Sequence, residues 1–155
     1  MLEAIGGPRA VPQFVRRLGD ETTRLDRMEP ELNQGTPSDP RDTTTPRAFA
    51  TTLHAPIFGD ALPAQKKRAM LTTWMRSNEV GGPLLRAGVP KDWIVAARTG
   101  AGSNGTRGIV AVMWPGQPDP IVAAIFLTET TASMDQRNAA IAKLGRIIAE
   151  AVSKQ

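Results

Sequence analysis

The stretch that decides the fold is Arg24-Leu25-Asp26-Arg27-Met28-Glu29-Pro30-Glu31-Leu32-Asn33. Acidic and basic side chains alternate through it, and a second charged, proline-containing stretch over residues 39–46 closes it downstream. Between Asp20 and Thr44 the chain shows turn chemistry with little hydrophobic periodicity. A loop of this length in a compact domain is usually functional or disordered. The many possible ion pairs favour an ordered loop of the Ω type.

Helical patterns flank this loop on both sides. Apolar residues at helical spacing predict one helix over residues 8–18 and another over residues 64–78. Thr45 and Pro46 supply an N-cap hydroxyl and a proline at the first helical position, so a helix starts there and carries Phe49 and Leu53 before Pro56. The apolar side of the helix over 64–78 is expected to consist of Met70, Leu71, Trp74 and Met75.

From Trp93 onward the hydrophobic period changes to two. Residues 93–97, 108–114 and 121–127 predict three strands of an antiparallel meander, separated by glycine- and proline-rich turns. Ser133 and Gln136 form a capping-box pattern that starts a terminal helix. The helix should cover one face of the sheet with Ile141, Leu144, Ile148 and Val152. The order of elements is α+β, and so thin a sheet has edges that invite further strands.

Composition excludes several classes of function. The 155 residues include no cysteine and one histidine, His54, so a thiolate or multi-histidine metal site is excluded. The net charge is +4, but aromatic residues make up only 5% of the chain and do not alternate with arginine, so we expect no nucleic-acid partner. No apolar run approaches membrane-spanning length, so we expect no membrane partner.

A second phrase, Arg98-Thr99-Gly100-Ala101-Gly102, follows the first predicted strand. Together with the charged loop it resembles the KTG-type strand and Ω-loop of class A β-lactamases, over nearly the whole chain. The family usually has lysine at the first position, and the arginine resembles its carbenicillin-hydrolysing branch. The resemblance implies a β-lactamase/transpeptidase-like fold, incomplete relative to the family. Residues 1–88 would belong to the helical lobe, with the Ω-loop at about 24–44, and residues 89–155 to the α/β lobe.

The resemblance implies roles for the residues of the loop. Glu29 would be the general base that takes a proton from the water attacking the acyl-enzyme ester, and Asn33 would help to hold that water. Arg27 and Asp42 would close the neck of the loop by a salt bridge, which fixes the position of Glu29.

The same resemblance implies roles for the strand residues. Arg98 and Thr99 would bind the carboxylate of the substrate, and Arg107 on the adjoining strand would reach the same group. Gly100 would let the substrate approach the strand, and the N–H of Ala101 would be one of two oxyanion-hole donors.

The nucleophile of the family is missing, because the sequence contains neither Ser-x-x-Lys nor Ser-Asp-Asn. We therefore predict the C-terminal portion of a class A β-lactamase, secreted or periplasmic, that acts on β-lactam antibiotics without metal or cofactor. Its partner would be the missing N-terminal half, and the isolated chain is expected to be inactive. Two alternatives stay open. One is a non-catalytic binding or structural fragment; the other is a penicillin-binding D-Ala-D-Ala peptidase, whose family lacks the arrangement of Glu29 and Asn33.

Overall fold

The computed structural model describes residues 1–62, 64–116 and 119–154. Its elements in chain order are α1 (Ala10–Arg16), α2 (Pro46–Phe58), α3 (Gln65–Arg76), α4 (Leu85–Gly88), β1 (Ile94–Ala101), β2 (Arg107–Trp114), β3 (Ile121–Leu127) and α5 (Met134–Val152). Single turns of 3-10 helix lie at Glu3–Ile5, Glu31–Asn33 and Glu79–Gly81. The strands form one antiparallel sheet in the order β1-β2-β3. The predicted α+β arrangement is confirmed.

Two helix starts follow from capping side chains. The Thr45 hydroxyl oxygen accepts a hydrogen bond from the Ala48 N–H at 3.2 Å, which fixes the first turn of α2. Ser133 and Gln136 form both hydrogen bonds of a capping box, so α5 begins where the sequence predicts. Helix α2 continues past Pro56 to Phe58, so the loss of one N–H donor at Pro56 does not end it.

The sheet separates two apolar clusters. One face packs against α4 and α5, and its buried residues are Leu84, Leu85, Val89, Val95, Ala97, Ile109, Ala111, Met113 and Ile141. The other face packs against α2 and α3, and its buried residues are Leu53, Ile57, Met75, Ala96, Val110 and Val112. Neighbouring residues of β1 and β2 alternate between the clusters, as the strand period requires. The sheet is therefore covered on both faces.

Helices α4 and α5 approach each other at two glycines. A Cβ atom on Gly88 would lie 1.9 Å from the carbonyl oxygen of Ala142, and one on Gly145 would lie 2.9 Å from that of Leu85. Leu144, next to Gly145, is 38% exposed, so its expected place on the covering face is wrong. The buried residues of α5 are Asn138, Ile141, Ala142, Gly145 and Ala149, and the predicted Ile148 packs half-buried against the same cluster.

The predicted apolar side of α3 is also only partly buried. Met75 is fully packed, whereas Met70 is 46% and Trp74 is 54% exposed. Trp74 therefore lies largely in solvent, whereas Trp93 packs against the first cluster and Trp114 against the second. Among the described residues, no helix is both long and apolar enough to cross a membrane.

Strand β3 forms a free edge of the sheet. All its residues are partly exposed, in contrast to the buried β2. An open groove of about 1010 Å³ runs between β3, the exposed side of α2 and Ile148 of α5. Its lining is mainly aliphatic and includes no residue of the stretches 24–33 and 98–102.

Candidate functional site

The base of the charged loop is organised around Asp20, whose side chain is buried. Its carboxylate accepts hydrogen bonds from the N–H groups of Thr22 and Thr23 at 2.9 and 2.8 Å, and from the hydroxyl groups of Thr23 and Thr52. Burial alone would raise the pKa of Asp20, but these hydrogen bonds outweigh it and lower the pKa below the ordinary value. Thr52 belongs to α2, so the start of the loop is tied to that helix.

The neck of the loop is closed by Arg27 and Asp42, as the resemblance implies. The Arg27 guanidinium donates to Asp42 Oδ2, while Oδ1 accepts from the backbone N–H groups of Asp26 and Arg27 at 2.7 and 3.0 Å. Burial works against the charged form of Asp42, yet these donors hold its pKa below the ordinary value. Arg27 also donates to the Gln34 side chain at 2.6 Å, which extends the contact toward the tip.

The tip of the loop presents Glu29 and Asn33. Asn33 ends the single 3-10 turn Glu31–Asn33, and its side-chain amide donates to Glu29 Oε2. The N–H of Leu32 donates to the carbonyl of Met28 at 3.0 Å, so the backbone around Glu29 is folded back on itself. Both side chains are exposed to solvent. Asn33 contacts only Oε2 of Glu29, and none of the described residues donates to Oε1, which leaves that oxygen available to accept a proton.

The loop and the end of β1 enclose a cavity of about 400 Å³. Leu32, Asn33 and Gly35 line one side, and residues 98–102 line the other. The sequence phrases are thus brought together at one site. Arg98, Thr99, Gly100, Ala101, Asn33 and Asp42 belong to the cavity wall, whereas Glu29, Arg27 and Arg107 are not among the described residues that line it.

Arg107 lies behind the strand that carries the second phrase. The sheet register pairs it with Ala101 and pairs Thr99 with Ile109, so Arg107 and Thr99 share one face as diagonal neighbours. The Arg107 guanidinium is almost fully buried; it donates to the Gly100 carbonyl at 3.3 Å and to Asn138 Oδ1 at 2.9 Å. Burial, with a contribution from the charge of Arg137, lowers the pKa of Arg107. Arg107 therefore links the end of β1, at Gly100, to Asn138 of α5.

Sequence reasoning missed two asparagines at the site. Asn138 accepts from Arg107, and Asn104 donates to the loop backbone. The only sequence signal for Asn104 is its place in a Ser-Asn-Gly turn, and Asn138 lies one turn after the capping box without any distinguishing pattern. Within the part of the chain that the structure describes, no group of three or more histidine, cysteine or acidic residues could hold a metal ion.

Comparison with known proteins gives the class. Residues 1–152 match the model of the beta-lactamase enzyme family. Beta-lactamase AER-1 of Aeromonas hydrophila is 49% identical over 99% of this chain and 50% of its own length. Beta-lactamase PSE-4 of Pseudomonas aeruginosa is 47% identical over 100% of this chain and 54% of its own length.

A solved structure agrees with these relatives. The class A beta-lactamase of the last common ancestor of Gram-negative bacteria superposes with a TM-score of 0.94 at 48% identity, over 97% of this chain and 57% of that one. The chain therefore belongs to the beta-lactamase enzyme family, and its relatives are class A enzymes. It spans about half the length of the curated relatives that it matches.

Proposed function

We propose that this chain carries the deacylating and carboxylate-binding part of a class A serine β-lactamase, which hydrolyses the β-lactam amide of penicillins through an acyl-serine when complete. One observation carries the proposal: Asn33 lines the same cavity as Arg98, Thr99 and Ala101 and donates to Glu29. A cationic strand edge on a cavity whose wall residue Asn33 holds a carboxylate at its rim supplies the groups that ester hydrolysis of an acidic substrate requires.

Acylation would use the strand side of the cavity. The serine oxygen of the complementary half attacks the lactam carbonyl carbon, the C–N bond breaks, and the ring nitrogen takes a proton while an ester forms. The exposed Arg98 and the Thr99 hydroxyl hold the substrate carboxylate, because a guanidinium and a hydroxyl both donate to it. The Ala101 N–H donates to the developing oxyanion, and one such donor is worth about 3 kcal/mol of transition-state stabilisation.

Deacylation would use the loop side. Glu29 accepts a proton from water while the water oxygen attacks the ester carbonyl carbon, and the proton passes to the departing serine oxygen. The Asn33 amide fixes the Glu29 carboxylate and donates to the same water. The ordered neck at Arg27 and Asp42 supports this step, since a base displaced by about 1 Å loses roughly a hundredfold in rate.

The complete enzyme would need a second half that supplies Ser-x-x-Lys and Ser-Asp-Asn. In that assembly residues 1–88 would be part of the helical lobe and residues 89–155 part of the α/β lobe. The free edge at β3 and the open aliphatic groove beside it support such completion. Class A relatives also support a secreted or periplasmic location. The substrate would be a β-lactam antibiotic, and neither metal nor cofactor takes part in the proposed steps.

A complementation assay tests the proposal. This chain is mixed with a fragment that carries the two serine motifs, and hydrolysis of a chromogenic cephalosporin is followed. Turnover should exceed that of either part alone by at least about a hundredfold. A mixture with Glu29→Gln should acylate and then stall, so that the ester is visible by intact mass. Rates in the mixture no higher than the sum of the separate parts count against the proposed function.

A non-catalytic binding fragment is the second candidate, favoured by the missing nucleophile. The cavity retains Arg98 and Thr99, so the isolated chain could bind a carboxylate without turning it over. Calorimetric titration of the isolated chain with a penicillin, compared with Arg98→Ala, separates the candidates. Binding that depends on Arg98, combined with no complementation, favours this second candidate; a covalent adduct on the isolated chain contradicts it. The relatives AER-1 and PSE-4 are β-lactamases, which speaks against the peptidase alternative.

A further inference from the structure

The loop that carries Glu29 lies against the hairpin between β1 and β2 along three consecutive carbonyl groups. The carbonyl of Asn33 accepts from the backbone N–H of Ser103 at 3.1 Å. The carbonyls of Gln34 and Gly35 both accept from the side-chain amide of Asn104 at 3.0 Å. These contacts join residues about 70 positions apart in sequence. We call this contact, made by residues 33–35 and 102–106, the seam.

The seam leaves no space between its two sides. A Cβ atom on Gly102 would lie 2.8 Å from the Asn33 carbonyl oxygen, and one on Gly35 would lie 3.1 Å from the Thr106 hydroxyl oxygen. The two segments of the seam therefore approach so closely that only glycine fits at these positions. A side chain added at Gly102 or Gly35 would push the two sides apart and lengthen the hydrogen bonds that Asn104 makes.

Asn104 is suited to this contact by its backbone and its chemistry. Its φ of 53° lies in the left-handed region, which asparagine tolerates better than most residues. The two hydrogens of its amide group match the two carbonyl acceptors. Its own carbonyl accepts from the Glu129 N–H at 2.8 Å, so the hairpin that bears it is anchored to the segment before α5. The donor is thus held on a fixed support.

We propose that Asn104 is a positioning residue for Glu29, acting through the seam and Asn33; its bearing on hydrolysis rests on the proposed function. Asn33 lies between the two: its carbonyl takes part in the seam while its amide donates to Glu29. Fixing the carbonyls of residues 33–35 fixes the backbone from which the Asn33 side chain extends. Removing the donor would free that backbone and the base with it.

Two substitutions separate this role from a turn-forming role. Asn104→Gly keeps the left-handed backbone and removes the donor. Asn104→Asp also tolerates that backbone but directs carboxylate oxygens at two carbonyl oxygens. Ser103→Ala is the matched control, because Ser103 contributes to the seam through its backbone N–H. If Asn104 only forms the turn, all three variants should behave like the parent chain.

Hydrogen exchange on the full chain gives the first readout and needs no activity. The N–H groups of Leu32, Asn33 and Gln34 are hydrogen-bonded within the tip, so their exchange reports its opening. We expect exchange about tenfold faster in Asn104→Gly, faster still in Asn104→Asp, and unchanged in Ser103→Ala. Tip exchange that is unchanged in both Asn104 variants overturns the proposal, whatever the outcome of complementation.

The complemented enzyme gives the second readout. Asn104→Asp should slow deacylation about tenfold or more with little change in acylation, so the acyl-enzyme should accumulate in intact-mass spectra at steady state. A faster-opening tip with an unchanged deacylation rate overturns the positioning role. If the parent chain shows no turnover when complemented, the proposed function is wrong. The hydrogen-exchange result then still decides whether Asn104 holds the loop.

Discussion

Arg27 and Asp42, 15 residues apart in sequence, form a charge-assisted hydrogen bond in which the Asp42 side chain is only 3% exposed. The same carboxylate accepts from backbone N–H groups on the opposite arm of the loop neck. The charge of Asp42 therefore holds both arms of the neck together. The nearby ion pair between Asp39 and Arg41 serves as a solvent-exposed comparison, because the Arg41 side chain is 52% exposed.

Neutralising Asp42 should loosen the loop far more than neutralising Asp39. Asparagine tolerates the left-handed backbone of Asp42, so Asp42→Asn isolates the charge. We expect a loss of about 3 kcal/mol of unfolding free energy, because the largely buried Arg27 keeps its charge and loses its carboxylate partner. Asp39→Asn should cost less than about 1 kcal/mol. Urea unfolding measures both, and equal losses would contradict the assigned role of the neck.

Acid should weaken the chain through Asp20 and Asp42. Both carboxyl groups have a pKa below the ordinary value in the folded state, so they bind fewer protons there than when unfolded. Their contribution is complete above about pH 5 and is lost as the pH falls through the unfolded-state and then the lower, folded-state values. Urea midpoints between about pH 6 and pH 2 should show this fall. The fall should be shallower in Asp42→Asn, and a parallel curve would exclude Asp42 as a source.

The α4–α5 contact predicts that a favourable helix substitution destabilises the fold. Alanine is a better helix former than glycine by about 1 kcal/mol. At Gly145, however, the new Cβ would lie 2.9 Å from the Leu85 carbonyl, so Gly145→Ala should cost about 1–3 kcal/mol through overpacking. The control is Ala140→Gly at an exposed position of α5, expected to cost about 1 kcal/mol. Thermal unfolding that shows Gly145→Ala to be stabilising would refute the close contact.

Arg98 should act by charge and by its planar geometry. In the complemented enzyme Arg98→Ala should raise KM for penicillins about a hundredfold, because the substrate carboxylate loses a charge-assisted partner. Arg98→Lys keeps the charge and the residue type usual in the family, so we expect a rise of about tenfold or less. Steady-state kinetics on the two variants checks this. Equal KM values for the alanine variant and the parent would show that Arg98 does not bind the substrate carboxylate.

The free edge at β3 predicts self-association of the isolated chain. Its backbone N–H and C=O groups lie beside an open aliphatic groove, and such edges pair with other chains. Sedimentation should show species larger than a monomer, or a partly unfolded chain, at concentrations where the complementary fragment restores a single complex. A sharp cooperative unfolding transition of a clean monomer would show that the edge is tolerated.

Much of this fold could be predicted because its signals are local. The Thr45 cap, the capping box at Ser133 and the bounds of β3 depend on residues within one turn or one strand. The apolar side of α3 was mispredicted because periodicity identifies a face but not what covers it, and Trp74 lies largely in solvent. The seam at Asn104 could not be predicted, since its acceptors are backbone carbonyls that carry no sequence pattern.

The hydrogen bonds that Asp20 accepts from three threonines affect the entropy of ligand binding. They tie the loop to α2 before any ligand arrives, so the loss of chain freedom in this long segment occurs at folding. An incoming molecule then does not have to freeze the loop, and little of its binding free energy is consumed in ordering the receptor. Binding at this cleft should therefore carry only a small entropic cost for ordering the loop.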